Sequence, residues 1–92
     1  MSRRIMWYVY ILSCENGDLY TGITNNLKRR FEEHASGKGG HFTKSFIAKD
    51  ILFSEEHPDK SSALRREAQI KGWTRKKKLA LAKKDLELLN KL

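Results

Sequence analysis

The sequence predicts a small α+β domain in which helices pack on a short sheet, and three observations lead to this fold class. The aromatic and β-branched run at residues 7–12 is typical of a strand that is buried on both faces. A strong hairpin signal, Asn16-Gly17, follows it and leads into a second strand at residues 19–24. Further along, capping residues precede stretches with helical spacing of apolar residues. The predicted order is β-β-α-β-α-α in a single domain of residues 1–92.

The first helix is predicted to follow the hairpin directly. Asn25 or Asn26 can cap it, and its inner face carries Leu27 and Phe31 at i, i+4 spacing. The helix is expected to end after Ala35, where a glycine-rich stretch at residues 37–40 opens a flexible loop that runs to about residue 47. A third strand is predicted at residues 50–55.

Two further helices and a helical tail complete the prediction. Pro58 interrupts the chain, and Asp59 or Ser61 can cap a helix that runs to about Lys71. Thr74 can cap the next helix. The core is expected to span about residues 6–82, and residues 83–92 form a basic helical tail that docks on the domain or on a partner.

The charge balance indicates a polyanionic partner. The 19 Lys and Arg residues exceed the 11 Asp and Glu residues and leave a net charge of +8. Such a surplus on a small domain favours nucleic acid over an anionic membrane surface. The longest apolar run spans only residues 5–12, which is too short to cross a bilayer. Without a signal-peptide pattern, the expected location is the cytoplasm, and a lone cysteine excludes an intramolecular disulfide and a cysteine-based zinc site.

Helical geometry places Glu67 on the apolar face of the second predicted helix, where a charged residue is unexpected. At 100° per residue it falls inside the apolar stripe that Ala63 and Ile70 define on the second helix. A carboxylate that faces a core costs several kcal/mol unless it is paired or bound to a metal. Two interpretations stay open: a structural ion pair with a Lys or Arg, or a metal ligand or acid–base group.

Polar residues on the first helix and in the hairpin pose similar questions. Arg30 and His34 lie at i, i+4 beside the apolar stripe, where the arginine can either position a phosphate or extend over the sheet edge. A two-residue turn at Asn16-Gly17 would place Tyr10 and Tyr20 on opposite faces. A three-residue loop with a bulge at Gly17 would pair Cys14 with Tyr20 and place both tyrosines on one face. A shared active-site role favours the bulge.

Basic residues are dense between residues 60 and 84, where Glu67 is the only acidic residue. Such a run is either a solvated face or a surface that binds nucleic acid. The residues predicted to bind nucleic acid are Lys28, Lys38, Lys44, Arg65, Arg66, Lys71, Arg75, Lys76 and Lys77.

Together these residues resemble the GIY-YIG nuclease family, and most closely its small single-domain bacterial branch. Tyr8-Val9-Tyr10 stands where the family has Gly-Ile-Tyr, and Tyr20-Thr21-Gly22 stands where it has Tyr-Ile-Gly. Arg30 is similar to the family's helix arginine, His34 to a histidine of some members, and Glu67 to its single metal-binding glutamate. The resemblance covers residues 6–81 and departs from the family at Tyr8, which replaces a glycine.

The resemblance implies a three-stranded antiparallel sheet flanked by helices and a metal-dependent endonuclease. The implied catalytic residues are Tyr10, Tyr20, Arg30, His34 and Glu67, and Glu67 is expected to hold one weakly bound Mg²⁺ or Mn²⁺. The expected substrate is DNA in preference to RNA, of the structured kind met in repair and recombination. The alternative is a weak or inactive nucleic-acid-binding module, and a protein partner that supplies specificity is left open.

Overall fold

A computed structural model describes residues 5–36 and 47–91 of the chain. The elements are β1 (Trp7–Cys14), β2 (Leu19–Thr24), α1 (Leu27–Ala35), β3 (Ala48–His57), α2 (Lys60–Lys71), α3 (Arg75–Ala82) and α4 (Leu86–Lys91). The predicted α+β class and element order are confirmed, and the tail forms the fourth helix. The glycine-rich loop is predicted to run from residue 37 to about residue 47, and residues 37–46 of it lie outside the described residues.

The central strand of the sheet is the apolar run that the sequence singles out. The three strands are antiparallel in the order β2-β1-β3, so β1 has a neighbour on each side. Residues 9–12 are at most 2% exposed because helices cover both faces of the sheet. A strand that is buried on both faces needs a continuous apolar run instead of an alternating one, which explains the composition of β1.

The two faces of the sheet carry different helices. Val9 and Ile11 pack with Ala63 and Ile70 of α2, and we call this side the α2 face. Tyr10 and Leu12 pack with the apolar stripe of α1, and we call this side the α1 face. Leu89 and Trp73 pack against the core cluster of the α2 face, so the C-terminal tail docks on the domain itself.

The turn between β1 and β2 has three residues, 15–17, which is the bulged alternative of the two. The Cys14 amide donates to the Asp18 carbonyl at 2.8 Å, and the Gly17 amide donates to the Cys14 carbonyl at 2.9 Å. Gly17 has φ +90°, a backbone conformation that residues other than glycine rarely adopt. The predicted pairing of Cys14 with Tyr20 is wrong, because Cys14 closes the loop with Asp18 instead.

The observed pairing of β1 with β2 is shifted by two residues from the predicted one. Each side chain therefore stays on the predicted face of the sheet. Tyr10 pairs with Gly22, and Leu12 pairs with Tyr20. Residues that pair directly across an antiparallel ladder point to the same face, and a shift of two preserves that face. Tyr10 and Tyr20 therefore share the α1 face, as the bulged alternative requires.

Short polar side chains begin three of the helices and decide between the predicted caps. Asn26, Asp59 and Thr74 each accept a hydrogen bond from the backbone amide three residues on, at 3.1, 2.8 and 3.2 Å. This arrangement satisfies an amide that the first helical turn leaves without a partner. Asn25 and Ser61, the two alternatives, do not serve as caps.

The third strand is longer than the sequence predicts. It spans Ala48–His57 instead of residues 50–55, and its register against β1 shifts at two places. Its added residues are largely polar because β3 is an edge strand, where side chains reach solvent without weakening the ladder. Within residues 5–36 and 47–91, no helix is long and apolar enough to cross a membrane.

Replacing Gly17 with alanine should lower the free energy of unfolding by about 1 kcal/mol, because φ +90° strains a residue with a Cβ. Gly72→Ala is the matched control, since Gly72 has an ordinary φ of −79° and a Cβ there would meet its nearest atom at 3.5 Å. Urea unfolding curves of the two variants measure the difference. Equal unfolding midpoints would contradict the assigned turn.

Candidate active site

A buried phenol at the centre of the sheet organises the candidate site. Tyr10 is 2% exposed on the α1 face, and its ring lies over Gly22 of the neighbouring strand. A Cβ built at Gly22 would lie 2.6 Å from the Tyr10 hydroxyl and 3.0 Å from Cε1 of Tyr20. The ring packing therefore requires glycine at this position, which explains the third residue of the Tyr20-Thr21-Gly22 motif.

Three side chains meet the Tyr10 ring on this face. Nε2 of His34 lies 3.4 Å from the Tyr10 hydroxyl, and the His34 ring lies 4.8 Å from the ring of Tyr20, centroid to centroid. The two tyrosine rings are 6.0 Å apart. Arg30 and His34 reach the sheet together because they are one helical turn apart on α1. We call Tyr10, Tyr20, Arg30 and His34 the tyrosine cluster.

Arg30 connects the tyrosine cluster to solvent. Its guanidinium lies near the Tyr10 and Tyr20 hydroxyls, and its side chain is 30% exposed. Glu33 Oε2 lies 3.7 Å from Nη1 of Arg30. Because the Tyr10 hydroxyl oxygen beside the guanidinium favours its charged form, the pKa of Arg30 is raised above its ordinary value. The cluster thus presents a fixed positive charge whose planar donors suit a phosphate.

Tyr10 and His34 of the cluster are both neutral at pH 7. Burial raises the pKa of Tyr10 to about 12, although the nearby Arg30 works in the opposite direction. Burial lowers the pKa of His34, and the positive charge of Arg30 lowers it further. A neutral imidazole can accept a proton, and a neutral phenol can both donate and accept one. The site therefore combines one cation with a pair of groups that can exchange a proton.

Glu67 stands in a different layer from the tyrosine cluster. It belongs to α2, whose buried residues Ala63 and Ile70 pack on the α2 face. Its side chain is 18% exposed, and its Oε2 lies 3.5 Å from Nζ of Lys71. The ion-pair interpretation of Glu67 is thus observed. The contacts that the structure gives within the tyrosine cluster do not include Glu67, and its joint action with that cluster stays a prediction.

The donor set limits which metal ion this chain can hold. Among residues 5–36 and 47–91, no three His, Cys, Asp or Glu side chains come together in a way that could hold a metal ion. A single partly exposed carboxylate fits only an ion that keeps most of its waters and takes substrate phosphate as a further ligand. Mg²⁺ coordinates in this way. Glu67 is therefore compatible with Mg²⁺, but it does not supply the ligands that a tightly bound transition metal needs.

The predicted nucleic-acid-binding residues differ in the contacts that the structure gives them within the fold. Lys28, Arg65 and Lys76 are exposed. Four others make contacts within the described part of the fold: Arg66 with Glu55, Lys71 with Glu67, Arg75 with the Gly17 carbonyl and Lys77 with the Trp73 ring. Lys38 and Lys44 lie outside the described residues. Arg66 joins α2 to the third strand and Arg75 joins α3 to the hairpin turn, whereas Lys71 and Lys77 contact residues of their own helical region. Because Arg66 and Lys71 face carboxylates, their charges are only partly available to a ligand.

A hydrogen-bonded network between β3 and α2 was missed by the sequence analysis. Glu55 Oε2 lies 2.7 Å from Nε2 of His57 and 3.2 Å from Nε of Arg66, and Nδ1 of His57 lies 3.3 Å from the Ser62 hydroxyl. These contacts fix the start and middle of α2, which holds Glu67 next to Arg66. No local pattern announces the network, because its members lie on two elements.

An open groove next to Arg30 was also missed. It has a volume of about 670 Å³, and beside Arg30 it is lined by Trp7, Ile23, Thr24, Asn25, Arg29 and Glu33. The first helix and the residue before its cap carry a signal that could have found it, since residues 25, 29 and 33 recur every four positions and share one face. We call it the Trp7 groove.

Comparison with known proteins gives a consistent result. A family model described as the GIY-YIG catalytic domain matches residues 6–80. A UPF0213 protein of Streptococcus sanguinis is 42% identical over 76 residues, covering 83% of this chain and 87% of that protein. UPF0213 protein XAC3202 of Xanthomonas axonopodis pv. citri is 43% identical over 74 residues, covering 80% and 72%.

A solved structure matches as well. The solution NMR structure of UPF0213 protein BH0048 from Bacillus halodurans is 38% identical and has a TM-score of 0.54. The match covers 85% of this chain and 83% of that one, so it supports the three-stranded antiparallel sheet with helices.

His34 should titrate below pH 6.5, the ordinary value for histidine, because its burial disfavours the charged form. Arg30→Gln should raise this pKa, since a positive neighbour is lost. Lys28→Gln, which removes a charge from the exposed side of the same helix, is the control and should change it little. NMR titration of the three histidines measures the shift. A His34 pKa that is indifferent to Arg30 would contradict the cluster geometry.

Proposed function

The chain belongs to the GIY-YIG catalytic-domain family, and on this basis we propose that it is an Mg²⁺-dependent endonuclease that hydrolyses phosphodiester bonds in DNA. The family domain implies nuclease activity and nucleic acid as substrate, and nucleases of this type generally use a divalent metal ion. The observation that carries the proposal for this chain is the tyrosine cluster. It places one arginine near two phenols and beside a neutral histidine, whose Nε2 lies 3.4 Å from the Tyr10 hydroxyl.

The proton path that we propose begins at the attacking water. Tyr10 is a phenol at neutral pH because its pKa is raised to about 12, so it is not a preformed base. Its oxygen can take a proton from the water while its own proton passes to Nε2 of His34, 3.4 Å away. This transfer needs the His34 tautomer that carries hydrogen on Nδ1 and ends with a positively charged imidazole. The low pKa of His34 keeps the acceptor nitrogen available.

Arg30 and Tyr20 are proposed to hold the phosphate. Negative charge builds on the phosphoryl oxygens as the water attacks, and the partly exposed guanidinium of Arg30 can neutralise it with planar donors. Tyr20 lies against the ring of His34 and positions the phosphate or the water. Because Arg30 already lies near the two hydroxyls, its positive charge is in place at the site when the substrate arrives.

Glu67 is the residue proposed to hold one Mg²⁺ or Mn²⁺. When bound, such an ion polarises the scissile phosphate and stabilises the leaving oxygen. The carboxylate must then exchange its contact with Lys71 for the ion, which makes binding weak until a phosphate completes the shell. The network of Glu55, His57 and Arg66 supports the proposal by fixing the helix that carries Glu67.

The finer parts of the proposal concern substrate and setting. We propose that residues 1–92 act as one domain with its core at 6–82, and that the exposed basic residues Lys28, Arg65 and Lys76 contact the DNA backbone. Structured DNA of the kind met in repair and recombination is the proposed substrate, with a protein partner as a further source of specificity. The relatives come from bacteria, whose DNA lies in the cytoplasm, which is the proposed location.

A second candidate is a nucleic-acid-binding module without useful catalysis. The placement of Glu67 favours it, because this carboxylate is paired with Lys71 and lies on the helix layer opposite the tyrosine cluster. The net charge of +8 serves either function equally.

Glu67→Gln should abolish metal-dependent cleavage and leave DNA binding intact or slightly stronger, because a negative charge is removed. The assay uses labelled single-stranded, duplex, nicked, flap and four-way-junction DNA, and RNA, each with Mg²⁺, Mn²⁺ or EDTA. Glu87→Gln, at an exposed carboxylate on α4, is the matched control and should cleave normally. Salt-sensitive binding without cleavage by any variant would instead support the binding module.

Arg30→Ala should lower kcat by about 100-fold or more and change KM less, because its proposed contact strengthens in the transition state. Lys28→Ala, on the exposed side of the same helix, should raise KM and leave kcat nearly unchanged. Single-turnover rates at saturating and limiting enzyme separate the two parameters. Equal effects of both variants on kcat and KM would reduce Arg30 to an ordinary phosphate contact.

A further inference from the structure

The Trp7 groove continues the tyrosine cluster past Arg30, toward the start of β1 and the end of β2. Its volume of about 670 Å³ falls in the range of sites that hold a small organic group. Since Arg30 lines the groove and also reaches the cluster, a ligand in the groove would lie next to a phosphate on Arg30.

The lining of the groove disfavours a second phosphate. Glu33 lies 3.7 Å from Arg30 and 3.8 Å from Arg29, so its carboxylate offsets part of the positive charge of both. A phosphate entering here would face that carboxylate at close range. The amino groups of a nucleobase, in contrast, can donate to a carboxylate.

The remaining lining residues suit an aromatic heterocycle. Trp7 and Ile23 are partly buried against the core cluster of the α2 face, and the parts of them that line the groove add an indole edge or face and apolar surface on which a base can pack. Asn25 carries an amide that can donate to and accept from a base edge, and unlike Asn26 it does not serve as the cap of α1. The Lys60 ammonium lies over the Trp7 ring, 5.3 Å from its centroid, so it covers one ring face and adds a positive charge there.

We propose that the Trp7 groove binds one unstacked nucleobase of the substrate, from the nucleotide adjacent to the phosphate that Arg30 contacts. The inference rests on the proposed nuclease function and specifies its substrate class: nucleic acid with at least one unpaired nucleotide at this position. A base that is paired in a duplex must first leave its stack, which costs a few kcal/mol, whereas a base in an unpaired segment avoids most of that cost.

The test measures base binding without cleavage. The chain has two tryptophans, so Trp73→Phe leaves Trp7 as the only indole reporter. This variant is titrated in EDTA with a single-stranded tetranucleotide and with an otherwise identical tetranucleotide in which one internal nucleotide is abasic, placed in turn at each internal position. The intact oligonucleotide should quench Trp7 fluorescence and bind about tenfold more tightly than the abasic one that empties the groove.

A second measurement does not depend on a change at Trp73. The affinity of the same two oligonucleotides, carrying a fluorescent label, is measured by anisotropy for the wild type and for Trp7→Leu. Trp7→Leu should lose the preference for the intact oligonucleotide and keep its affinity for the abasic one. Glu33→Gln should bind both more tightly, since two arginines are released, with a smaller difference between them.

Equal affinities for the intact and abasic oligonucleotides in the wild type, with no change in Trp7 fluorescence, would overturn the groove proposal. If metal-dependent cleavage persists in that case, the nuclease function stands and only the base-binding site is lost. Base-dependent binding that disappears in Trp7→Leu, without cleavage under any metal condition, would keep the groove and count against the nuclease.

Discussion

The hydroxyl of Tyr10 is the constraint on which the candidate site depends. A buried hydroxyl is costly unless it has hydrogen-bond partners, and here it sits on the most buried strand of the sheet. Its ring needs a neighbour without a side chain, which Gly22 provides, and its oxygen needs polar partners, which α1 supplies through Arg30 and His34. The three-residue turn, Gly22 and the position of α1 together give the buried Tyr10 hydroxyl its space and its polar partners. The resulting arrangement can contact a phosphate.

Local signals in the sequence predicted much of the fold. The buried run of β1, the turn at Gly17 and the caps at Asn26 and Asp59 depend on neighbours within a few residues, so their patterns are visible in the chain itself. The register was misjudged by two residues because the turn residues alone do not say which strand residues close the loop. The common face of Tyr10 and Tyr20 survived the error, since the face depends only on whether the shift is even.

Contacts between distant elements could not be predicted from the sequence. The charge run at residues 60–84 indicated a binding face, yet Arg75 donates to the Gly17 carbonyl and Arg66 joins Glu55, so part of that charge holds the fold together. Helical geometry placed Glu67 in the apolar stripe of α2, where its side chain is 18% exposed, but could not say which face of the sheet that helix covers. The Trp7 groove likewise forms where the start of β1, the end of β2 and one face of α1 lie next to one another.

The central claim is that Glu67 and the tyrosine cluster act on the same phosphate from two layers of the fold. Binding of Mn²⁺, followed by electron paramagnetic resonance, tests it most directly when measured with and without a phosphorothioate oligonucleotide. The account predicts that the oligonucleotide strengthens Mn²⁺ binding about tenfold or more, and that either Glu67→Gln or Arg30→Ala removes this coupling. Mn²⁺ binding that is indifferent to the oligonucleotide, or coupling that survives both substitutions, would contradict it.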